Sequence, residues 1–380
     1  LVGCSSLAVW DNKSEDGGLL IGRNFDFYAN DDFAKNKIIS FVKPNSGYPY
    51  MSVTWGGMIG VSSGMNLEGL TVTINAGKSS IPLKAKTPIS LVALEVLQYA
   101  STIDEAVEIA KTKKVFVSES MMIGSAKDHR VVLIEISPKK FGVYEVQNQP
   151  YLACTNHFQS DVYSDDKRNN TQKEESHSVY RFEKIEEHLS NENKLNPTKM
   201  VELLRDTNGL KNTKLGYGNE KALNQLLAHH AVVFQPDKRL VWVSSNPYQL
   251  GEFTAYDLNK IFNDSISNYT LNVDSLRIEK DAFVLSDNYS NYEKYRKQTH
   301  EINKLIKENK KIEETFLTSY IQNNPDFWLV YDKVGDYYFQ QKDYQQASFY
   351  YKLALTKEVT TVPDRNKIQK KLSKCSRKTR

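Results

Sequence analysis

Residues 3–27 read GCSSLAVWDNKSEDGGLLIGRNFDF. Two apolar runs with the alternation of β-strands flank the Asp-Gly-Gly turn at positions 16–18, which predicts a hairpin. Cys4 stands at the open end of this hairpin, and the return strand carries Arg23 and Asp26. A positive charge beside a thiol favours the thiolate, so this stretch also predicts an activated nucleophile.

The composition indicates a globular chain with a sizeable core. The 380 residues are 40% hydrophobic and 25% charged, and 50 Lys and Arg nearly cancel 46 Asp and Glu to a net charge of +4. The length favours two domains. The basic excess lies mainly in residues 365–380, and no aromatic residue follows Tyr351. We interpret this segment as a solvated tail rather than a nucleic-acid site.

Simple counts disfavour two other classes of protein. No stretch approaches the roughly 18 uninterrupted apolar residues of a membrane-spanning helix. The three cysteines cannot all pair, and their spacing matches neither a disulfide framework nor a zinc site. We therefore expect neither a membrane span nor a bound metal.

Strand and helix patterns alternate over the first 260 residues. Thr102 and Glu105 form a capping-box pattern, which predicts the start of a helix. Residues 161–175 are polar and are predicted to form a surface loop. Strands joined by hairpins rather than by βαβ repeats predict an α+β fold of antiparallel sheets covered by helices. Beyond the first hairpin, the predicted strands are 37–42, 50–55, 58–62, 70–75, 115–117, 121–126, 131–136, 142–146, 151–154, 231–235 and 240–244, and the predicted helices are 89–99, 106–111, 179–189 and 197–204.

The last part of the sequence has a different character. From Tyr289 onward the pattern is helical and strongly charged. One helical repeat cannot bury its faces alone, so it should pack on the preceding helices or on the first domain. The offsets of the tetratricopeptide pattern fall at Tyr331, Val334, Gly335, Tyr338, Tyr344, Ala347, Tyr351 and Ala354.

Five motifs occur in an order shared with a known superfamily. They are Gly3-Cys4-Ser5-Ser6, Gly22-Arg23-Asn24-Phe25-Asp26-Phe27, Met65-Asn66-Leu67-Glu68-Gly69-Leu70 with Asn75, Cys154-Thr155-Asn156-His157-Phe158 and Ser178-Val179-Tyr180-Arg181. Together they resemble the linear-amide C–N hydrolases, N-terminal nucleophile (Ntn) hydrolases that include choloylglycine hydrolases, penicillin V acylases, acid ceramidase and isopenicillin N acyltransferase. Because glycine precedes the cysteine, the chain looks most like the self-cleaving isopenicillin N acyltransferase branch. The resemblance covers roughly residues 3–260 and implies a four-layer αββα sandwich.

The resemblance implies a role for each of six residues. In a chain that begins with cysteine, the α-amine can take the proton of the thiol of the same residue. Each oxyanion donor is worth on the order of 10²–10³ in rate. The implied set is Cys4 as nucleophile, Arg23 beside the thiolate, Asp26 holding the α-ammonium group, Asn75 (backbone N–H) and Asn156 (side-chain amide) as oxyanion donors, and Arg181 as the second arginine that ties the site together.

The same resemblance implies maturation by cleavage between Gly3 and Cys4. The thiol would attack the Gly3 carbonyl, and water would then release the preceding segment. Only afterwards would the α-amine exist to act as base. We therefore divide the chain into residues 1–3 (propeptide remnant), 4–262 (Ntn catalytic domain), 263–315 (linker and helical connection) and 316–380 (tetratricopeptide-like hairpin and basic tail).

The implied reaction is cleavage of a linear, non-peptide amide through a Cys4 thioester, with water or an amine accepting the acyl group. This chemistry needs no metal or organic cofactor. The expected substrate is a small N-acyl amide, and bile salt or penicillin V hydrolysis is a narrower alternative. A second copy or a protein partner is a candidate ligand of the C-terminal helices. The candidate lining of the substrate pocket is Asn24, Tyr28, Trp55, Met58 and Phe158.

Other interpretations stay open. Residues 1–4, Leu-Val-Gly-Cys, also match a bacterial lipobox, in which Cys4 is lipidated after signal cleavage. A free thiol is also often simply buried. A non-catalytic interaction protein that uses the C-terminal repeat is the alternative of another class. His157 and the His229-His230 pair lack Asp or Glu at ligand spacing, which predicts satisfied polar residues rather than a metal site.

Overall fold

The computed structural model describes residues 3–27, 29, 32–33, 35–80, 86–191, 194–263 and 271–378. Within these residues, two antiparallel sheets are followed by a C-terminal helical region. The prediction of antiparallel sheets with helices is confirmed at this level.

The first sheet has six strands in the order β10-β1-β2-β11-β12-β13. All its neighbouring strands pair antiparallel, as hairpin connections predict. Its strands are β1 (Ser5–Val9), β2 (Leu20–Phe25), β10 (Tyr151–Cys154), β11 (His230–Gln235), β12 (Leu240–Ser244) and β13 (Phe253–Asp257).

The second sheet has seven strands, and they follow one another in chain order from β3 to β9. This meander keeps sequence neighbours together in space. Its strands are β3 (Lys37–Val42), β4 (Tyr50–Trp55), β5 (Ser63–Asn66), β6 (Leu70–Ala76), β7 (Glu119–Ser125), β8 (Arg130–Ile136) and β9 (Phe141–Tyr144).

Helices cover the outer faces of both sheets. The capping box predicted at Thr102 and Glu105 is present and begins α2. Successive side chains along a strand point to opposite faces of the sheet, so β1 contributes to two hydrophobic cores. Ala8 faces the second sheet, whereas Leu7 and Val9 face α4 and α5. On the second sheet, the outer face packs against α1 and α2. The bounds are α1 (Ile89–Tyr99), α2 (Ile103–Lys111), α3 (Lys167–Glu175), α4 (Ser178–Asn191), α5 (Pro197–Leu204) and α6 (Leu258–Asn263).

The C-terminal helical region forms its own core. Gly335 lets two of its helices approach closely, because a Cβ there would lie 2.6 Å from the Tyr351 ring. This core also includes Leu226 and Leu250, so the region packs on the sheet domain as predicted. Its helices are α7 (Asp287–Lys307), α8 (Glu314–Asn323), α9 (Trp328–Gln340), α10 (Tyr344–Thr356) and α11 (Val362–Lys378). The α9–α10 hairpin carries the tetratricopeptide-like offsets; its assignment to that repeat family stays a prediction.

Two predicted strands of the sheet domain are not strands in the structure, and one strand was missed. Residues 58–62 are irregular backbone, with Gly60 at a φ of +100°, and the strand begins only at Ser63. Residues 115–117 form a single bridge between Val115 and Thr87 rather than a strand. Strand β13 was not predicted, although the burial of its first four residues alternates.

Two polar segments are helical, contrary to prediction. In residues 161–175, Asp166 caps α3 by accepting hydrogen bonds from the backbone of Arg168 and Asn169. Most of the basic tail is α11, which buries Ile368 and Cys375 against the helical region. A helix that packs on an existing core needs few apolar residues. The polar composition of these segments therefore did not reveal their helices.

Candidate active site

The hairpin of β1 and β2 places Cys4 beside Arg23. Its register pairs Ser5 with Asn24 and Ser6 with Arg23. The Cys4 side chain is buried, and Arg23 Nη2 lies 3.8 Å from its Sγ. The stretch that opens the sequence therefore brings a thiol and a guanidinium into contact.

Arg23 belongs to the first sheet, but its other hydrogen bonds reach the second. Nη1 donates to the Ser62 carbonyl at 2.8 Å and to Ser63 Oγ, and Nη2 donates to the Ile74 carbonyl. The Phe25 ring centroid lies 4.4 Å from the guanidinium carbon. These partners fix the guanidinium where it can stabilise a thiolate.

The Cys4 thiol is nevertheless held in its protonated form. Burial raises the pKa of this thiol, and the nearby Arg23 charge opposes that effect without cancelling it. The sequence favoured a thiolate because it showed the charge but not the desolvation. A base is therefore needed to activate Cys4 in this setting.

Asp26 is a buried carboxylate beside the start of the hairpin. Neither of its carboxylate oxygens accepts a hydrogen bond from the described residues. Its backbone carbonyl accepts one from the Gly3 N–H at 2.9 Å, which keeps residues 3 and 26 adjacent. Burial raises the pKa of Asp26 to about 7, although Arg181 and Arg23 act to lower it. A cation beside Asp26 would restore its ordinary ionisation.

Asp26 should make the uncleaved chain lose stability as pH rises. Its folded pKa of about 7 exceeds the ordinary value of 3.8, so the folded state binds more protons between these limits. The free energy of unfolding should then fall from about pH 4 to 7, by at most about 1.4 kcal/mol per pH unit. Asp26→Asn in a Cys4→Ala background should flatten this dependence, as measured by urea unfolding at several pH values. An unchanged pH dependence would contradict the burial of this carboxyl.

Arg181 connects Cys4 to Asn156. From α4, its Nη1 donates to the Cys4 carbonyl at 2.6 Å and to Ser5 Oγ at 2.8 Å. Its Nη2 donates to Asn156 Oδ1 at 2.6 Å. Asn156 Nδ2 donates to the Ala76 carbonyl at 2.9 Å, which leaves a second N–H on the same amide. The arrangement orients the Asn156 amide next to the strand that carries Asn75.

The Asn75 side chain joins the two sheets. It lies on β6, and its Nδ2 donates to the Cys154 carbonyl on β10 at 3.0 Å. Its Oδ1 accepts a hydrogen bond from Ser6 Oγ on β1 at 2.9 Å. The side chain therefore has a structural function, and the predicted role of its backbone N–H stays a prediction.

An apolar cavity of about 280 Å³ opens beside Cys4. Glu119, at the start of β7, lies in its wall and was missed from the sequence. Burial raises the pKa of Glu119 to about 8, while Arg23 acts to lower it. No local sequence signal marks this residue, because strand pairing brings it to the cavity. The lining residues are Cys4, Phe25, Phe27, Trp55, Met58, Ser62, Ile74, Ala76, Pro88, Ile89, Ser90, Phe116, Val117 and Glu119.

The predicted pocket residues divide into two groups. Trp55 and Met58 line the cavity. Asn24 is instead buried on the other side of β2, where its Nδ2 donates to the Leu204 and Leu223 carbonyls, each at 2.8 Å. Phe158 packs on Tyr163, with ring centroids 4.1 Å apart, and is outside the described lining. Tyr28 lies outside the described residues.

The two adjacent histidines extend the polar network behind Arg23. His230 Nε2 lies 2.8 Å from Ser63 Oγ, and the Nδ1 atoms of His229 and His230 are 2.9 Å apart. Burial keeps both rings neutral by lowering their pKa values, that of His229 to about 3. His230 begins β11.

The described residues contain neither a metal-binding cluster nor a membrane-spanning helix. No group of three or more His, Cys, Asp or Glu side chains is arranged to hold a metal ion there. In the same part of the chain, no helix combines the length and apolarity needed to cross a membrane.

Most of the sheet domain matches a known protein family. The model of the family described as acyl-coenzyme A:6-aminopenicillanic acid acyl-transferase matches residues 10–247, more than half of the chain. The chain belongs to this acyl-transferase family. The match begins after Cys4 and β1 and ends before β13 and the helical region, so it contains the whole second sheet and four of the six strands of the first. It includes Arg23, Asp26, Asn75, Asn156 and Arg181.

Individual relatives of this family member are distant. An uncharacterized protein of Archaeoglobus fulgidus is 27% identical over 150 residues, which are 37% of this chain and 24% of that protein. The chain thus matches about a quarter of that relative's length. The solved structure of a Caenorhabditis elegans N-acylethanolamine-hydrolyzing acid amidase ortholog has a TM-score of 0.44 and 20% identity, covering 62% of this chain and 93% of that one. A variant of the conjugated bile acid hydrolase of Clostridium perfringens has a TM-score of 0.42 and 15% identity, covering 70% and 96%.

Proposed function

We propose that the chain is a cysteine Ntn enzyme that cleaves N-acyl amides through a thioester on Cys4. The observation that carries the proposal is the contact of the buried Cys4 thiol with Arg23 at the wall of an apolar cavity. Catalytic cysteines need a positive neighbour and access to substrate, whereas inert ones have neither. Gly3 before the nucleophile supports maturation at the Gly3–Cys4 bond, as does the Asp26 carboxylate, which accepts no hydrogen bond from the described residues.

In the proposed mechanism, the freed α-amine of Cys4 takes the proton of its own thiol. Asp26 holds the resulting ammonium group, and Arg23 stabilises the thiolate. The thiolate attacks the substrate carbonyl, and the Asn156 amide and the Asn75 backbone N–H stabilise the oxyanion. The ammonium group returns its proton to the leaving amine. Water or a second amine then takes the acyl group from the thioester.

The cavity supports an apolar acyl group in the substrate. Aromatic and aliphatic side chains form most of its lining, and the one ionisable group besides Cys4 among the described lining residues is Glu119. The volume of about 280 Å³ suits an extended or small acyl chain better than a rigid, bulky one. We therefore favour simple N-acyl amides over bile salts and penicillin V. We retain the four-layer αββα sandwich and the domain limits 4–262 and 316–380 as part of the proposal.

A panel of N-acyl amides tests the function. The mature chain should release amine from straight-chain substrates, and brief reaction followed by acid quenching should leave the acyl mass on the peptide that begins with Cys4. Hydroxylamine should compete with water if the thioester accepts amines. A panel without turnover, or an acyl group on any other residue, would reject the proposal.

Trp55→Leu should change the preferred acyl group. Loss of this ring enlarges the cavity, so kcat/KM should rise for longer chains and fall for short ones, by roughly 10-fold for one or two methylenes. Trp10→Leu is the matched control, since Trp10 lines a different surface groove. If both variants keep the original chain-length profile, the cavity is not the acyl site.

A further inference from the structure

Gln225 holds the carbonyl oxygen of the bond that would be cleaved. Its Nε2 donates a hydrogen bond to the Gly3 oxygen at 2.6 Å. The Gln225 side chain is buried, with 1% of its surface exposed. The Gly3 N–H is held on its other side by the Asp26 carbonyl. Both polar groups of residue 3 therefore have fixed partners directly before the nucleophile.

The contact leaves no space for a side chain at position 3. A Cβ on Gly3 would lie 2.5 Å from Gln225 Oε1 and 2.6 Å from Nε2, far inside van der Waals contact. Any larger residue would have to displace the glutamine amide. The glycine before Cys4 and the glutamine far along the chain are thus matched to each other.

We propose that Gln225 is a catalytic residue of the self-cleavage step, where it donates its amide N–H to the oxyanion that forms on Gly3. This inference rests on the proposed function, since it assumes cleavage by Cys4. The six residues implied by the sequence serve acyl transfer from a substrate, whereas Gln225 touches the carbonyl of the chain itself.

The cleavage step balances without another reactant except water. Cys4 Sγ bonds to the Gly3 carbonyl carbon, and the thiol proton passes to the Cys4 amide nitrogen. The C–N bond then breaks, leaving Gly3 joined to Sγ as a thioester and the Cys4 nitrogen as an amine. Water hydrolyses the thioester to a Gly3 carboxylate and a free thiol. Negative charge on the Gly3 oxygen is greatest between attack and bond breaking, which is when the Gln225 donor matters most.

The backbone around Gln225 is built to hold this donor in place. The next residue, Leu226, has a φ of +52°, a conformation that a branched side chain adopts only under constraint. Its N–H donates to Asn224 Oδ1 at 3.1 Å, and the Asn224 N–H donates to the Asp206 carbonyl at 2.9 Å. Strain of this kind persists where the surroundings over-determine the geometry.

The C-terminal helical region supplies much of that constraint. Tyr292 on α7 donates its hydroxyl to the Leu226 carbonyl at 3.3 Å, and Leu226 packs in the helical core. Lys221 Nζ lies 2.7 Å from the Oε2 atom of Glu358, a residue in the connection between α10 and α11. Tyr217 and Asn324 exchange two hydrogen bonds. The segment 215–229 is therefore held by the helical region as well as by its contact with Gly3.

The test follows cleavage of the full chain, made with a natural segment before Gly3 in a cell-free reaction and quenched at timed intervals. Intact mass gives the fraction that begins at Cys4. Gln225→Leu should slow cleavage on the order of 10²-fold, the usual loss for one oxyanion donor. Gln235→Leu is the matched control: Gln235 is also buried and donates to Asp16 Oδ2 at 2.7 Å, at the end of the hairpin opposite to Cys4. It should cleave within a few-fold of wild type.

Gln225→Glu keeps the shape and makes the donor depend on pH. A protonated carboxyl can donate to the oxyanion, whereas an ionised one repels it. The ratio of its rate to that of wild type should therefore rise as pH falls, which a purely structural role would not produce. This ratio decides the question if the leucine variant does not fold.

The outcomes distinguish a failure of the Gln225 role from a failure of the proposed function. Wild-type cleavage with equally fast Gln225→Leu, or a Gln225→Glu ratio independent of pH, would overturn the role of Gln225 alone. A wild-type chain that stays joined to Gly3 would instead remove the self-cleavage on which the inference depends.

Discussion

Cys4→Ala should leave the chain uncleaved at Gly3 and reduce amide turnover at least about 10⁴-fold, as expected for loss of a covalent nucleophile. The side chain is buried beside Arg23, so alanine removes the one atom that can form the thioester. Intact mass with N-terminal sequencing measures the cleavage, and release of amine from an N-acyl amide measures turnover.

Cys154→Ala is the control for this experiment. Cys154 is also a buried free thiol, and it lies on β10, directly across from Ser6 of β1. Its replacement should cost packing energy but leave cleavage and turnover near wild-type values. Equal activity of wild type and the Cys4 variant would reject the nucleophile. A gain of diacylglycerol mass on Cys4 would favour the lipobox instead.

Arg23→Leu should have the second-largest effect, on both stability and the reactivity of the thiol. The Ser62 and Ile74 carbonyls would lose their buried donor, at about 1–3 kcal/mol each. Without the guanidinium at 3.8 Å, the pKa of the Cys4 thiol should rise further. Alkylation by iodoacetamide as a function of pH measures this directly in a chain that begins at Cys4.

Two variants distinguish the effect of the Arg23 charge on the thiol from the effect of Arg23 on the stability of the fold. Arg23→Lys keeps a positive charge but not the planar fork, so thiol reactivity should recover more than stability. Arg205→Leu removes another largely buried arginine, which donates to the Gly251 carbonyl at 2.6 Å. It should lower stability without changing the pH profile of alkylation. The same profile for Arg23→Leu and wild type would show that Arg23 does not act on the thiol.

The sequence was sufficient where the relevant contacts are local. The alternation of the two apolar runs predicts the antiparallel pair that brings Cys4 to Arg23. Its register could not be read from the Asp-Gly-Gly stretch, because the connection spans residues 10–19 and includes a 3-10 turn at Asp11–Lys13. The capping box at Thr102 marks a helix start because its contacts are local. The order of antiparallel strands in the second sheet was also accessible, because the strands pair in chain order.

Contacts between remote segments could not be predicted in this way. Ser63 and Glu119 reach the site through strand pairing and show no periodic signal of their own. Gln225 lies in irregular backbone whose shape depends on the helical region. Asn24 shows the opposite failure: its place in a motif suggested the pocket, but alternation along β2 turns it to the far face.

The bracing of residues 215–229 by the C-terminal helices has a consequence for protein synthesis. A ribosome makes Cys4 long before α7 to α11, yet on the present proposal the amide donor for self-cleavage is fully constrained only once those helices have folded. In a prematurely terminated chain, the Cys4 nitrogen would therefore remain in the peptide bond to Gly3 and could not act as a base. Incomplete translation products would carry a complete set of sheet-domain side chains and still be inert.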